Sequence, residues 1–280
     1  MTPSPPARGF NWSNLGVRVL SGVILAPGVI YCAFLGGWVL MGVIVLAVAL
    51  IAREWASMCA PAAPARIAAA VTVAVLAAAT TGQLGHYRIA WIVLVLAAGG
   101  CALLSRAVAA RPSDAAFGAL YIGAPTLALI WLRASGPAGQ MWTFLVLASA
   151  WSADIVAFLA GNLLKGPKLW PQFSPNKTWS GFFGGLVAAT LAAAIVARVW
   201  AMLRPDELST GKALLVGAFA GLATMAGDLW ESMLKRRFGV KDTGGLIPGH
   251  GGLLDRVDGL MFALLAVAAA RLLVNLGWPR

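Results

Sequence analysis

The chain has 280 residues, 60% of them hydrophobic and only 11% charged, with a mean hydropathy of +0.83; these values exclude an ordinary soluble domain and place it in a bilayer. Its net charge of +11 does not argue for nucleic acid, because the basic residues are scattered over the links between apolar runs, where they suit anionic headgroups and topology signals. Cys32, Cys59 and Cys101 stand singly in or beside apolar runs without metal-type spacing, which leaves redox and zinc chemistry without a basis.

Residues 1–15 are polar and Pro-rich. The apolar run that follows lacks a small-residue cleavage site, so it is expected to be an ordinary span and not a removed signal peptide. Crossing the hydrocarbon core takes roughly 20 apolar residues. Runs near 16–36, 38–58, 67–84, 89–105, 115–133, 141–161, 180–202, 212–233 and 258–276 qualify. The expected fold is all-α and polytopic, with about nine transmembrane helices. About five spans form an N-terminal transmembrane region over 1–140. About four form a C-terminal catalytic region over 141–280, which carries polar loops at 162–179 and 234–257.

With this span count the N-terminus and both polar loops share one side, which holds the larger part of the 21 lysines and arginines. The positive-inside rule makes that side cytoplasmic. Two crossings separate the loops, so they face one compartment however the early spans are counted. No internal repeat of the kind found in inverted-repeat transporters is visible.

Only ten carboxylates occur in the chain, and Asp154, Asp228, Glu231, Asp242, Asp255 and Asp258 border the two loops. An ionised side chain at mid-bilayer costs at least about 2.5 kcal/mol, so such a cluster needs partners or a purpose. In GDLWESMLKR, Asp228, Glu231, Ser232 and Lys235 recur at i, i+3, i+4 and i+7 and share a helix face. Asp255 and Asp258 repeat the i, i+3 spacing at the head of the ninth span. Hard oxygen ligands converging from several helices suit Mg²⁺, which also takes phosphate oxygens from a substrate. Intramembrane salt bridges are the alternative: Asp228 or Glu231 with Lys235, and Asp255 or Asp258 with Arg256. A proton or ion relay is another.

The stretch KDTGGLIPGHGGLLDRVDG, residues 241–259, gathers glycines 244, 245, 249, 251 and 252 around Pro248. Backbone that accepts positive φ can turn successive N–H groups toward phosphate, and Lys235, Arg236, Lys241, His250 and Arg256 surround it. A plain Gly-rich turn between helices is the other reading. In KLWPQFSPNKTWSG, Ser174 and Pro175 form an N-cap and first-turn pair, which places Lys177 and Thr178 in the opening turn of the seventh helix, where anions are attracted. A snorkelling interfacial role beside Trp170 and Trp179 is the alternative for Lys177. Gly181, Gly184, Gly185 and the Gly217/Gly221 pair predict close helix packing.

The run SMLKRRFGVKDTGGLIPGHGGLLDRVD, Ser232 to Asp258, resembles the signature of the phosphatidate cytidylyltransferases, also called CDP-diacylglycerol synthases. It has a serine, Lys-Arg, Lys-Asp, His-Gly-Gly and Asp-Arg-x-Asp at that family's intervals. The resemblance takes in GDLWES and, less completely, SADIVAFLAG and SPNKTWSGFFGG, about the C-terminal half of the chain. It implies a multi-pass enzyme of the cell inner membrane that makes CDP-diacylglycerol and pyrophosphate from CTP and phosphatidic acid. It also implies Mg²⁺ with a potassium ion beside it, a homodimer, and no nucleic-acid partner. By resemblance Asp228 and Asp255 are the principal metal ligands, supported by Asp154, Glu231 and Asp258. Lys235 and Lys241 join Asp228 and Asp255 in the catalytic group. Ser174, Asn176, Lys177, Ser232, Arg236, His250, Gly251, Gly252 and Arg256 receive the triphosphate and the lipid phosphate. Ile155, Val156 and Ser180 depart from the family's usual residues, so a divergent paralogue is one alternative. An ion-coupled transporter is the other, and it would require acids spaced along a path across the membrane.

Overall fold

A computed structural model describes residues 26–108, 110–134, 136–204, 208–245 and 251–275. In chain order it contains α1 (Ala26–Leu35), α2 (Gly37–Cys59), α3 (Pro64–Gln83), α4 (Tyr87–Arg106), α5 (Pro112–Arg133) and α6 (Gly136–Leu163). There follow β1 (Lys168–Trp170), β2 (Ser174–Thr178), α7 (Trp179–Leu203), α8 (Thr210–Arg237) and α9 (Leu254–Asn275). Among the described residues, α2 to α9 give 8 helices long and apolar enough to cross a membrane. The expected first span, 16–36, falls partly outside the described residues.

Local chemistry sets the ends. Pro64 and Pro112 open α3 and α5, where a missing N–H costs nothing. Ser209 caps α8 by accepting from the Lys212 amide at 3.4 Å. At the end of α1, Arg133 donates to the carbonyls of Ala33 (2.7 Å) and Phe34 (2.6 Å), and Gln140 Nε2 donates to the latter at 2.9 Å, so the helix's last carbonyls find side-chain partners.

Two apolar cores organise the bundle. One joins α2, α3, α4 and α5 to the ends of α8 and α9 through residues such as Trp55, Leu94, Ile122, Leu234 and Leu254. The other joins α5 and α6 to α7, α8 and α9 through Leu132, Leu145, Ala193, Val216 and Val267. Helices α7 and α8 approach through small residues: a Cβ on Gly217 would lie 2.5 Å from Ala193 Cβ, and one on Gly221 2.8 Å from Ala189 Cβ. The close packing expected of these glycines is thus present.

The seventh helix does not begin where Ser174 and Pro175 suggested. Ser174–Thr178 is the strand β2, antiparallel to β1, with Lys168 opposite Thr178 and Trp170 opposite Ser174. Lys177 therefore sits on a strand, and α7 starts at Trp179 with Thr178 as its cap, accepting from Gly181 N at 3.2 Å. The Thr178 hydroxyl adjoins the apolar run directly, whereas Pro175, which has no N–H, is tolerated on an edge strand.

Candidate functional site

A cavity of about 460 Å³ opens where the end of α6, strand β2, the lower half of α8 and the start of α9 meet. Its charged lining is Asp154 from α6, Lys177 from β2, Asp228 from α8, and Asp255, Arg256 and Asp258 from α9. The described residues of the loops at 162–179 and 234–257 therefore lie at the same end of the bundle. Asp228 precedes the end of α8 by nine residues, about 13 Å along a helix axis, so the cavity reaches below the loops toward the apolar zone.

Ion pairs hold the walls together. Lys177 pairs with Asp228, tying the hairpin before α7 to α8. The Lys177 ammonium is otherwise buried without a hydrogen-bond partner among the described residues. Lys235 Nζ, in the last turn of α8, lies 2.8 Å from Asp255 Oδ1 and 3.3 Å from Glu231 Oε2. The salt bridge anticipated for Lys235 thus forms with Glu231, while Asp228 takes Lys177 instead. Asp258 is buried and accepts from the Gly259 amide at 2.7 Å.

The other residues picked from sequence are distributed differently. Asn176 is on the cavity wall, and Ser174 is half-buried in β2 outside the lining. Glu231 is 1% exposed and does not line the cavity. The Ser232 hydroxyl donates to the Asp228 carbonyl at 2.9 Å, the ordinary back-bond of a helical serine. Arg236 and Lys241 are exposed and stand off the lining. His250 lies outside the described residues. Ile155 points away from the protein at 60% exposure. The Ser180 hydroxyl donates to the Lys165 carbonyl and lies 3.0 Å from Thr178 Oγ1, so it braces the start of α7.

The Gly-rich turn is closed by carboxylates. Asp255 Oδ2 accepts the amides of Thr243 and Gly252, both at 3.1 Å. Glu54, from α2, accepts those of Leu253 (2.9 Å) and Leu254 (2.7 Å). Gly251 has φ +84, the left-handed conformation glycine tolerates. Gly252 is buried, and a Cβ there would overlap Thr243 Oγ1. The Gly252 N–H, expected to face phosphate, is held here by Asp255.

Sequence reasoning missed Glu54 and the pair of Asp114 with Arg237, 2.5 Å apart. Glu54 was visible as the single acid of its apolar run, the same signal that drew attention to Asp154. Nothing in local spacing pointed to partners almost two hundred positions away.

Four aspartates face one lysine and one arginine in the lining, an excess of negative charge. Among the described residues no group of three or more His, Cys, Asp or Glu could by itself hold a metal ion. Among the described residues the acids also concentrate at one end of the bundle and do not form a path across it, which gives the transporter reading no support.

Known proteins resemble this chain over most of its length. The model of the cytidylyltransferase family matches residues 16–274. A Brucella abortus protein named phosphatidate cytidylyltransferase is 43% identical over 180 residues, 64% of this chain and 62% of that relative. A protein of the same name from Bacillus subtilis is 40% identical over 146 residues, 52% of this chain and 53% of the relative. One from Staphylococcus epidermidis is 40% identical over 154 residues, 54% and 56% of the two chains. The aligned parts thus span between about half and just under two thirds of each relative.

Proposed function

Because the chain belongs to the cytidylyltransferase family, we propose that it transfers the cytidylyl group of CTP to the phosphate of phosphatidic acid. The products are CDP-diacylglycerol and pyrophosphate. One observation carries this reading: an ion-paired lysine with unused donors, Lys177, and a cluster of aspartates share a cavity at the end of a membrane bundle. That is the depth at which a lipid phosphate and a water-borne nucleotide can meet. The cavity volume of about 460 Å³ falls in the ordinary range of small-molecule sites.

The lining fits Mg²⁺ on its donor chemistry. Its aspartates supply hard anionic oxygens, and their excess charge would repel a triphosphate unless a cation lay between. Asp228 and Asp154, both on the wall, would hold it, with Asp258 beside them. Bound there, Mg²⁺ would neutralise charge on the phosphates.

The chain's own residues bind and orient. Lys177 exchanges Asp228 for a phosphate oxygen when substrate enters, and Arg256 adds a second cation to the same wall. The lipid phosphate oxygen forms a bond to the α-phosphorus as the bond to the β-phosphate oxygen breaks, and pyrophosphate leaves with that electron pair. No protein nucleophile is involved, so positioning and charge stabilisation supply the acceleration. Asp255, also on the wall, orders the turn through Lys235 and two amides, and its Oδ1, which accepts from Lys235 alone, keeps a lone pair for the cation. The basic residues Lys165, Lys168, Arg236 and Lys241 at this end support a cytoplasmic placement of the site.

The test is conversion of CTP by the purified protein in phosphatidic acid micelles. Lipid-dependent release of pyrophosphate supports the reading, and its absence from folded protein refutes it.

A further inference from the structure

Glu54 is 3% exposed and lies outside the cavity lining, yet it is joined to the cavity by the backbone of the signature turn. Its Oε1 and Oε2 accept the amides of Leu253 and Leu254, and the Thr243 hydroxyl lies 3.5 Å from Oε2. Asp255 grips the same turn from the other side through the amides of Thr243 and Gly252. Each of these carboxylates thus touches both arms of the turn. The turn is clamped between α2 and α9.

Three further observations show that Glu54 occupies a prepared position. A Cβ on Gly244 would lie 3.0 Å from Glu54 Oε1, and one on Gly252 3.0 Å from its carboxyl carbon, so the two glycines leave room for the carboxylate. Its neighbour Trp55 is 0% exposed and donates to the Asp114 carbonyl at 3.0 Å, which anchors α2 against α5. The Trp55 ring also meets Phe238, just past α8, edge-on at 5.6 Å. Glu54 is therefore presented from a fixed base.

Amides at the start of a helix attract an anion. Here the protein supplies it. We infer that Glu54 is a positioning residue: a built-in anion at the N-terminus of α9 that sets the direction in which Asp255, Arg256 and Asp258 face the cavity. It governs turnover without touching substrate. The effect on turnover rests on the nucleotidyl-transfer reading; the effect on the turn does not.

The experiment compares Glu54→Gln and Glu54→Asp in the full chain, purified in detergent. Amide hydrogen exchange across Leu253 and Leu254, folded fraction, and CDP-lipid formation per folded molecule are measured for each. Gln keeps the side-chain volume and loses the charge; Asp keeps the charge and loses one methylene. The expected order for both protection and turnover is wild type, then Asp, then Gln. For Glu54→Gln, exchange is about tenfold faster and kcat roughly tenfold lower, as for a lost charge-assisted hydrogen bond, with KM for CTP within about twofold of wild type.

A role in packing alone gives the opposite order, with Gln above Asp. That order, or exchange at the wild-type rate in Glu54→Gln, overturns the inference, as does faster exchange with unchanged turnover. If Glu54→Gln does not fold, Thr243→Val removes one donor to Glu54 at nearly constant shape. Faster exchange at Leu253 and Leu254 with lower kcat then supports the inference, and unchanged values overturn it. If wild type forms no CDP-lipid, the nucleotidyl-transfer reading fails by itself. The exchange order of the variants then upholds or overturns the clamp independently.

Discussion

Lys177 on β2 is ion-paired with Asp228 on α8, so the hairpin that precedes α7 is fastened to the helix that follows it at the wall of the cavity. The pair joins a potential phosphate ligand to a potential metal ligand, and substrate would have to separate them. Replacing the lysine therefore tests binding and chemistry together.

Lys177→Met is expected to lower kcat/KM for CTP on the order of 100-fold, the usual effect of removing a charge-stabilising donor. Lys177→Arg keeps the charge but not the compact ammonium, and is expected to recover part of the loss. Steady-state kinetics in mixed micelles measure both. Wild-type kinetics in Lys177→Met would remove this residue from the site.

Lys235 pairs with both Glu231 and Asp255, whose side chains are only 2% and 10% exposed. Taking the lysine away leaves uncompensated buried charge, so Lys235→Met is expected to destabilise the protein by on the order of 3 kcal/mol. Adding Glu231→Gln to the same chain removes one of the stranded charges and restores part of the stability. Thermal unfolding of the two variants in detergent checks the order. A double variant less stable than Lys235→Met would contradict it.

Much of this architecture was legible from hydropathy. The runs expected near 38–58 and 67–84 emerge as Gly37–Cys59 and Pro64–Gln83, because a bilayer leaves a chain few options besides helices with internally satisfied backbone. The acids were legible too, since their cost in an apolar segment marks them out. What could not be read were features decided by distant partners. The strand at Ser174–Thr178 exists because Lys168–Trp170 lies beside it, and a Ser-Pro pair alone resembles a helix start. Beside the phosphate reading of the turn, Gly244 and Gly252 also leave room for the Glu54 carboxylate, which local spacing does not announce. A carboxylate that caps a helix from another helix leaves no local trace.

Gly217 faces the α7 backbone, where a Cβ would stand 2.8 Å from the Ala189 carbonyl oxygen and 2.9 Å from Thr190 Cα. Backbone atoms cannot yield as a side chain can. Gly217→Ala is expected to cost about 1–3 kcal/mol. Gly211, which has open space around its Cα, serves as the control: Gly211→Ala should unfold within a degree or two of wild type, as expected of a helix position with no new clash. Equal unfolding temperatures for the two variants would contradict the packing of α7 on α8.

The most direct measurement is product formation by the purified chain in micelles containing phosphatidic acid, CTP and Mg²⁺, repeated after chelation and with Asp228→Asn. CDP-lipid and pyrophosphate should appear in equal amounts and vanish on chelation. Asp228→Asn should lower the rate at least about 100-fold. A folded protein that yields no CDP-lipid, or an Asp228→Asn variant with the wild-type rate, would contradict cytidylyl transfer at this cavity.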